Sequence, residues 1–345
     1  MGLYLDNGYV NARAWFDDPA PFIVALGGRG IGKTFGALDY LSGRDSGKMI
    51  YMRRTQAQID AVKLPELNPF KSVNDLRGRD WMVSPMGKYT AGIYHGKTVD
   101  GAVKPDGMPL GLCIALSVFS NIRGVDGLGY DVVLYDEFIK EAHEHPIRNE
   151  GDAFLNCYET LNRNREIQGF PPLKCILLSN TNDLASPILE SLGIIDDIEQ
   201  MQRRHKSRRV TADGAISIYL YADSPISERK RNTALYKVAN ASGDFSEMAL
   251  DNTFSAANYE HVEPRPLKEY DPLVSIGNVT VYQRRGARGF YVVEGIRAET
   301  RYSTLPINVR AFRADYWFLY EAMLNRELYY SSAAVKIRFE RIWNI

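Results

Sequence analysis

One segment of this sequence has the residue types and spacing of a phosphate-binding loop. Residues 27–34 read GGRGIGKT and fit G-x-x-x-x-G-K-[ST]. Glycines let the backbone turn its N–H groups around phosphate oxygens, the lysine reaches the β and γ oxygens, and the threonine hydroxyl ligates Mg²⁺. The sequence therefore predicts a P-loop; the alternative is a glycine-rich turn without a ligand. The predicted phosphate-binding residues are Gly27, Gly28, Arg29, Gly30, Ile31, Gly32, Lys33 and Thr34.

Two consecutive carboxylates supply the acids that such a loop lacks. In 132-VVLYDE, Asp136 and Glu137 follow four apolar residues typical of a buried strand. We expect Asp136 to hold Mg²⁺ together with Thr34, and Glu137 to act as general base toward the attacking water. Consecutive Asp-Glu is typical of hydrolysing, additional-strand P-loop ATPases, so hydrolysis is favoured over nucleotide storage. The alternative is a pair of surface acids at a strand end.

Two further segments suit phosphoryl transfer. Arg163 begins 163-RNRE, at the end of a predicted helix, and is a candidate arginine finger that completes a neighbouring subunit's site. An exposed helix end is the alternative. Ser179 and Asn180 end the apolar run 175-CILLSN and are candidate sensors of the γ-phosphate, with a plain strand-ending turn as the alternative.

The elements that must position these residues alternate between apolar runs and helical patterns. The runs are 22-FIVAL, 49-MIYM, 112-LCIALSVF, 132-VVLY and 175-CILL. Helical stretches lie between them at 34-TFGALDYL and 152-DAFLNCYETLNRN. This alternation predicts an α/β fold with a mostly parallel sheet flanked by helices.

Length and charge predict two domains. A chain of 345 residues exceeds the usual 100 to 200 residues of one domain. The acidic segment 196-DDIEQ is followed by the basic segment 203-RRHKSRR and then by the turn-like 211-TADG. We predict an ATPase domain over 1–200, a linker over 201–214 and a smaller α+β domain over 215–345. Its expected strands are 215-AISIYLYA, 279-VTVYQ and 290-FYVVEGI, closed by a helix around 312-FRADYWFLYEAMLNRELYY.

Composition excludes several classes of protein. With 45% hydrophobic and 24% charged residues the chain is far from a disordered composition. Its 42 basic and 42 acidic residues cancel, so any nucleic-acid contact must be local. Residues 41–123 hold an excess of basic residues, and we expect DNA contacts there, with these candidates: Lys48, Lys63, Lys71, Arg77 and Arg79.

The cysteines and the lengths of the apolar runs indicate the cellular compartment in which the protein works. Cys113, Cys157 and Cys175 show no C-x-x-C spacing, which predicts buried thiols rather than disulfides or zinc. No run approaches the roughly 20 apolar residues that span a bilayer, and the start lacks the pattern of a signal peptide. The sequence therefore predicts a protein that works in the cytoplasm without a membrane partner.

Taken in order, GGRGIGKT, 51-YMRRT, 135-YDEF, 163-RNRE and 177-LLSN resemble the phi-29-like packaging ATPases of small tailed phages with protein-primed genomes. More distantly, they resemble large terminases. The resemblance continues through 227-SERKR and 247-EMALDNTF. It implies a motor that hydrolyses ATP with Mg²⁺ to drive double-stranded DNA into a procapsid in the host cytoplasm. Family members form a ring of five subunits at the portal, some with a structural packaging RNA.

The resemblance also implies roles for particular residues. Lys33 and Thr34 match the Walker A residues, and Asp136 and Glu137 match the Walker B pair. Arg163 matches the proposed trans-acting finger. Arg123 lies in the loop before the Walker B strand, where family members carry a basic residue suggested to act across the interface.

Terminases carry an RNase H-like nuclease whose carboxylates gather two metal ions. Here 273-LVSIGNVTVY offers Ser275 where such a nuclease places an aspartate, and the nearest acids are Asp271 and Glu294. The C-terminal domain is therefore predicted to resemble a degenerate RNase H-like nuclease without activity. Two alternatives stay open: a terminase with an active nuclease, and a nucleotide-gated DNA-binding scaffold without turnover.

Overall fold

The protein folds into two compact units. The computed structural model describes residues 2–44, 48–122, 124–125, 127–141, 143–181, 183–222, 224–231, 233–234, 254 and 259–343. The first unit comprises Met1–Leu192 and Gln200–Phe254, and the second comprises Gly193–Glu199 and Ser255–Ile345.

The first unit is built on one nine-stranded sheet. In chain order the strands are β1 (Phe22–Gly27), β2 (Met49–Arg53), β3 (Trp81–Pro85), β4 (Ala91–Val99), β5 (Ala102–Ala115), β6 (Val132–Asp136), β7 (Lys174–Ser179), β8 (Arg208–Val210) and β9 (Ile216–Tyr221). Their spatial order is β3-β4-β5-β2-β6-β7-β1-β9-β8. The six strands from β5 to β9 in that order run parallel, and the three strands at the edges, β3, β4 and β8, join the sheet through antiparallel pairs. The predicted α/β fold with a large, mainly parallel sheet is confirmed.

Helices connect the strands of the first unit. They are α1 (Arg13–Asp17), α2 (Lys33–Ser42), α3 (Gln56–Val62), α4 (Lys71–Arg77), α5 (Glu150–Asn162), α6 (Pro187–Ser191), α8 (Pro225–Arg231) and the last residues of α7 (Ile195–Arg203), which begins in the second unit. Four of the five predicted apolar runs form strands throughout, and the two predicted helical stretches form α2 and α5. The fifth run, 112-LCIALSVF, is a strand only as far as Ala115 and continues as a 3₁₀ helix (Leu116–Ile122). The three cysteines are buried free thiols, as expected. None of the described helices is both long and apolar enough to cross a membrane.

The sheet brings the predicted site segments to one edge. Strand β7 lies between β1 and β6, with Leu26 of β1 opposite Ser179 and Asp136 of β6 opposite Leu178. Because the three strands are parallel, their carboxyl ends meet at the same edge. The glycine-rich loop after β1, the two acids at the end of β6 and the residues after β7 therefore converge.

The predicted linker over 201–214 is wrong, because this part of the chain contributes to the large sheet. Edge strand β8 pairs with β9, and β9 pairs in parallel with β1. All six residues of β9 are buried, as in a strand covered on both faces. The abrupt change of charge marks a surface instead, where Arg208 pairs with Asp18 at 2.7 Å. The first unit therefore extends beyond residue 200, and the domain predicted over 215–345 begins too early.

A short earlier segment, by contrast, belongs to the second unit. Gly193–Glu199 clusters with it. Glu199 Oε2 accepts a hydrogen bond from the Ala333 N–H at 3.0 Å, and Asp196 Oδ1 accepts one from the Ala334 N–H at 3.1 Å. These carboxylates satisfy the free donors at the start of a helix, α11 (Ala333–Ile342).

The second unit is a five-stranded sheet packed with helices. Its strands are β10 (Tyr270–Ile276), β11 (Val279–Arg284), β12 (Phe290–Glu294), β13 (Arg301–Tyr302) and β14 (Leu328–Tyr330), and its other helices are α9 (Pro306–Asp315) and α10 (Trp317–Leu324). The strand order is β13-β10-β11-β12-β14. The expected strands 279-VTVYQ and 290-FYVVEGI are confirmed as β11 and β12, which pair in antiparallel. The single helix expected around residue 312 is wrong, because the chain breaks at Tyr316 (φ −120°, ψ 31°) and later returns to the sheet as β14.

Candidate functional site

The glycine-rich loop joins β1 to α2 in a conformation that requires its glycines. Gly30 and Gly32 have φ of 68° and 91°, a region that other residues rarely adopt. Ile31 between them is fully buried and fixes the loop against the core. Its carbonyl accepts a 3.0 Å hydrogen bond from the N–H of Val10, so the N-terminal segment supports the loop.

Lys33 begins α2 and folds back into the loop. Its Nζ donates to the carbonyls of Gly27 and Gly28, both at 2.7 Å, and to Asn180 Oδ1 at 3.1 Å. Burial lowers the pKa of Lys33 to about 7, although the nearby Asp136 charge opposes this shift. A buried amine thus lies at the centre of the loop, and only neutral oxygens accept its hydrogen bonds.

The acid at the end of β6 is surrounded by donors. Asp136 is almost fully buried, and its Oδ1 accepts a 2.9 Å hydrogen bond from Thr34 Oγ1. Its Oδ2 accepts from the Tyr51 hydroxyl and from Arg53 Nη1, each at 2.9 Å. A hydroxyl beside a carboxylate is the oxygen donor set that Mg²⁺ prefers. The residues present therefore fit a magnesium ion at Thr34 and Asp136.

Glu137 follows in a strained backbone conformation. Its φ is 54°, which is uncommon for a residue with a side chain and is found preferentially at functional sites. Its side chain is 51% exposed, and Oε2 lies 2.5 Å from Arg53 Nη2. Partial burial, with the Asp136 charge, raises the pKa of Glu137, while Arg53 opposes the shift. A carboxylate with a raised pKa at the mouth of a cleft suits a general base.

These groups line one cleft of about 420 Å³. Nine predicted site residues line it: Arg29, Gly30, Gly32, Lys33, Thr34, Asp136, Glu137, Ser179 and Asn180. Gly27, Gly28 and Ile31 lie behind them as the support of the loop. The hydroxyl of Ser179 also accepts a 3.3 Å hydrogen bond from the Ile139 N–H, which ties β7 to the segment after Glu137.

Of the two arginines predicted to act across the interface, the structure describes only Arg163. Arg163 is exposed at the end of α5, where its Nη2 lies 3.4 Å from the carbonyls of Gly124 and Val125, and it does not line the cleft. Because α5 runs back from the site edge over about 20 Å, Arg163 is remote from its own chain's loop. Arg165 is buried and donates to three backbone carbonyls. Arg123 lies outside the described residues.

Most of the predicted DNA-contacting basic residues have acidic neighbours. Lys63 pairs with Asp60, and Lys71 pairs with Asp75. Arg77 and Arg79 both pair with Asp39. Ion pairs near the surface are weak, and contact of these side chains with DNA stays a prediction.

Sequence reasoning missed four residues of the site. Tyr51 and Arg53 end β2, the strand beside β6, and both contact Asp136. Glu141 pairs with Arg29 of the loop, and Lys230 donates to the Arg29 carbonyl. The motif 51-YMRRT carried a usable signal, because it ends an apolar run that a parallel sheet places beside the acids. The sequence held no comparable signal for Lys230.

A second pocket adjoins the loop. Its volume is about 680 Å³, and it shares Gly30, Gly32 and Phe35 with the cleft. Aromatic rings line it, from Tyr9 in the N-terminal segment and from Phe35 and Tyr40 on α2. The Tyr9 ring lies so close to Gly32 that a Cβ there would meet it at 2.9 Å. The two cavities are therefore contiguous around the loop.

The fold and the site define a mixed α/β protein with a large parallel sheet, similar to the structures of viral DNA-packaging motors. The bacteriophage Phi-29 viral genome packaging motor assembly matches with a TM-score of 0.67 and 19% identity, over 98% of this chain and 99% of that chain. The Phi-28 gp11 DNA packaging motor matches with a TM-score of 0.62 and 17% identity, over 97% and 96%. The ATPase domain of the Thermus phage P74-26 large terminase gives a TM-score of 0.38 and 13% identity, over 72% of this chain and 94% of that chain.

The family model for the Podovirus DNA encapsidation protein (Gp16) matches residues 18–285, which is most of the chain. The chain therefore belongs to this family, and the resemblance seen in the sequence is confirmed. It is a viral DNA-packaging protein. A sequence search found no significant match among curated proteins.

Proposed function

We propose that this protein is an Mg²⁺-dependent ATPase that translocates double-stranded DNA into a procapsid. The observation that carries this proposal is the hydrogen bond from Thr34 Oγ1 to Asp136 Oδ1, with Glu137 one residue further. The position of β7 between β1 and β6 supports a P-loop ATPase of the additional-strand, catalytic-glutamate type. The family assignment supplies the DNA-packaging role.

The chain's own residues divide the chemistry between them. When ATP binds, Lys33 Nζ donates its hydrogen bonds to phosphate oxygens instead of the carbonyls of Gly27 and Gly28. Its hydrogen bond to Asn180 keeps the amine oriented. Glu137 takes the proton of the attacking water. Mg²⁺, held by Thr34 and Asp136, would neutralise charge on the β and γ oxygens.

The nucleoside of ATP is proposed to bind in the adjoining aromatic pocket. It opens beside Gly32, and Tyr9 lies directly against that residue. An aromatic ring stacks on a base with a free energy of about 1 to 3 kcal/mol. Tyr9→Ala should therefore weaken ATP and ADP binding equally, because both nucleotides carry the same base. Unequal losses would place Tyr9 near the phosphates instead.

In a ring of subunits at the portal, each subunit can supply an arginine to the ATP-binding cleft of its neighbour. Arg163 is remote from its own cleft, which supports a role in a neighbour's site. A ring of five subunits, the portal and a structural packaging RNA come from the resemblance and belong to the same proposal. The proposal also places the motor at the procapsid in the host cytoplasm.

The C-terminal unit is proposed to lack nuclease activity. Ser275 Oγ is buried and lies 2.7 Å from Thr280 Oγ1, and it accepts the N–H of Ala298. Asp271 pairs with Arg285 at 2.6 Å, and Glu294 pairs with Arg338 at 2.7 Å. The Ser275 hydroxyl is therefore used within the unit, and the described residues include no group of three or more His, Cys, Asp or Glu side chains that could hold a metal ion. Likeness to an RNase H-like nuclease remains part of this proposal.

Two substitutions test the ATPase proposal. Lys33→Ala removes the phosphate-binding amine, so both ATP binding and hydrolysis should be lost. Glu137→Gln keeps the shape of the side chain but cannot accept the proton, so ATP should bind and persist. Equilibrium binding and single-turnover hydrolysis measure the two effects. Hydrolysis by Glu137→Gln at the wild-type rate would contradict the proposal, and ATP binding without turnover by the wild type would favour the scaffold alternative.

A further inference from the structure

A second lysine approaches the glycine-rich loop from another part of the chain. Strand β9 lies beside β1, with Tyr221 opposite Gly27, and α8 follows β9 after a short connection. Lys230 on α8 donates a hydrogen bond from Nζ to the carbonyl of Arg29. A Cβ on Gly30 would lie only 2.2 Å from this Nζ, so the amine contacts the loop backbone directly.

This amine has no carboxylate partner among the described residues, unlike the nearby Arg29 and Arg53. Arg29 pairs with Glu141, and Arg53 pairs with both Asp136 and Glu137. Lys230 is half-buried, and burial lowers its pKa. Its charge also contributes to lowering the pKa of Lys33, after burial as the main cause. Two amines that contact the same loop, both bonded to neutral backbone or amide oxygens, favour a polyanionic ligand beside that loop.

Lys230 approaches the part of the loop that faces the acids. The Arg29 side chain reaches Glu141, four residues after Glu137. Arg29 and Gly30 line the same cleft as Asp136 and Glu137. The attacking water must lie near Glu137, so this end of the cleft receives the terminal phosphate.

We propose that Lys230 binds the γ-phosphate of ATP in cis, as a second phosphate-binding lysine supplied by α8. This inference rests on the proposed ATPase function. When ATP enters, Nζ exchanges the Arg29 carbonyl for a γ-phosphate oxygen, while Lys33 binds from the opposite side of the loop. ADP lacks that oxygen, so Lys230 distinguishes the two nucleotides.

The test compares binding of ATP and ADP, each with Mg²⁺, to the full chain. Lys230→Met keeps the reach of the side chain without the charge, and Arg229→Met is the matched control on the same helix. The Arg229 guanidinium donates to the Asn7 carbonyl, away from the Arg29 carbonyl. Lys230→Met should weaken ATP binding about tenfold or more, as for a lost charge-assisted hydrogen bond. It should change ADP binding less than twofold, and Arg229→Met should keep the wild-type ratio of the two affinities.

Other outcomes overturn the inference. Equal losses of ATP and ADP affinity would show that Lys230 only holds the loop, and unchanged affinities would show that it does not contact the nucleotide. If wild-type protein binds neither nucleotide, the proposed ATPase function itself fails. Lys230→Arg provides a second variant should Lys230→Met not fold, and it should retain a preference for ATP over ADP that Lys230→Gln loses.

Discussion

Thr34 and Asp136 lie 102 positions apart in the sequence, yet the Thr34 hydroxyl donates a 2.9 Å hydrogen bond to the Asp136 carboxylate. The contact spans the width of three strands, since β7 separates the strand before Thr34 from the strand that ends at Asp136. It brings the loop and the two acids into one cleft. The predictions that follow concern the charges around this contact.

Binding of ATP should depend on the protonation of Lys33. Burial lowers the pKa of this amine to about 7 in the absence of nucleotide, whereas the phosphates require the charged form. The affinity for ATP should therefore decrease above pH 7, by up to about tenfold for each pH unit. Calorimetry in buffers of different ionisation enthalpy should record proton uptake on binding at pH 8. An affinity that stays constant from pH 7 to 9 would contradict this assignment.

Arg53 should set the lower pH limit of hydrolysis. Burial raises the pKa of Glu137, and the Arg53 guanidinium opposes that rise. A general base must be deprotonated, so the rate falls as the pH falls through its pKa. Arg53→Met removes the opposing charge and should move the acid limb of the pH–rate profile upward by about one unit or more. The exposed Lys88→Met is the control, and an unmoved acid limb in Arg53→Met would show that Arg53 does not tune Glu137.

Arg163 should act on a neighbouring subunit. Rings made only of Arg163→Ala should bind ATP but hydrolyse it about 10³- to 10⁵-fold more slowly, the effect of losing an arginine finger. In rings that mix Arg163→Ala with Glu137→Gln, a Glu137→Gln subunit supplies the arginine and an Arg163→Ala subunit supplies the base. Turnover should then exceed the sum of the two parents.

The mixing experiment shows whether Arg163 acts on a neighbouring subunit or within its own chain. Mixtures that co-assemble without gaining activity would show that Arg163 acts within its own chain or is structural. Arg165 is a poor substitute, because it is buried and bonded to the carbonyls of Gly127, Tyr130 and Pro171. Arg123 would then be the next residue to substitute.

The C-terminal unit should not cut DNA. Asp271 and Glu294 are paired with Arg285 and Arg338, and no group of three or more His, Cys, Asp or Glu side chains among the described residues could hold a metal ion. Supercoiled plasmid should stay intact in Mg²⁺ or Mn²⁺. Metal-dependent nicking that disappears in Asp271→Asn would support the active-nuclease alternative.

The sequence predicted the central strands and the cleft because both depend on local patterns. Continuous apolar runs identify buried parallel strands, and the spacing of GGRGIGKT and the Asp-Glu pair indicates phosphate chemistry without a structure. The charge change near residue 200 was misleading, because the chain that follows it returns to the first unit as strands β8 and β9. Strand β9 has the same apolar character as β1 and belonged to the same sheet.

Long-range contacts account for what the sequence could not predict. Arg53 and Tyr51 reach Asp136 only because β2 is the neighbour of β6. Lys230 reaches the loop only because β9 returns beside β1 after about 200 residues. Strand order is set by the whole sheet, so no local pattern indicates these neighbours.

The most direct test of the motor is packaging itself, measured as DNase-protected DNA after procapsids, DNA and ATP are combined with the protein. Wild-type protein should protect full-length DNA, and Glu137→Gln, which binds ATP without cleaving it, should protect none. Packaging by Glu137→Gln at the wild-type rate would contradict the claim that hydrolysis at this cleft drives translocation.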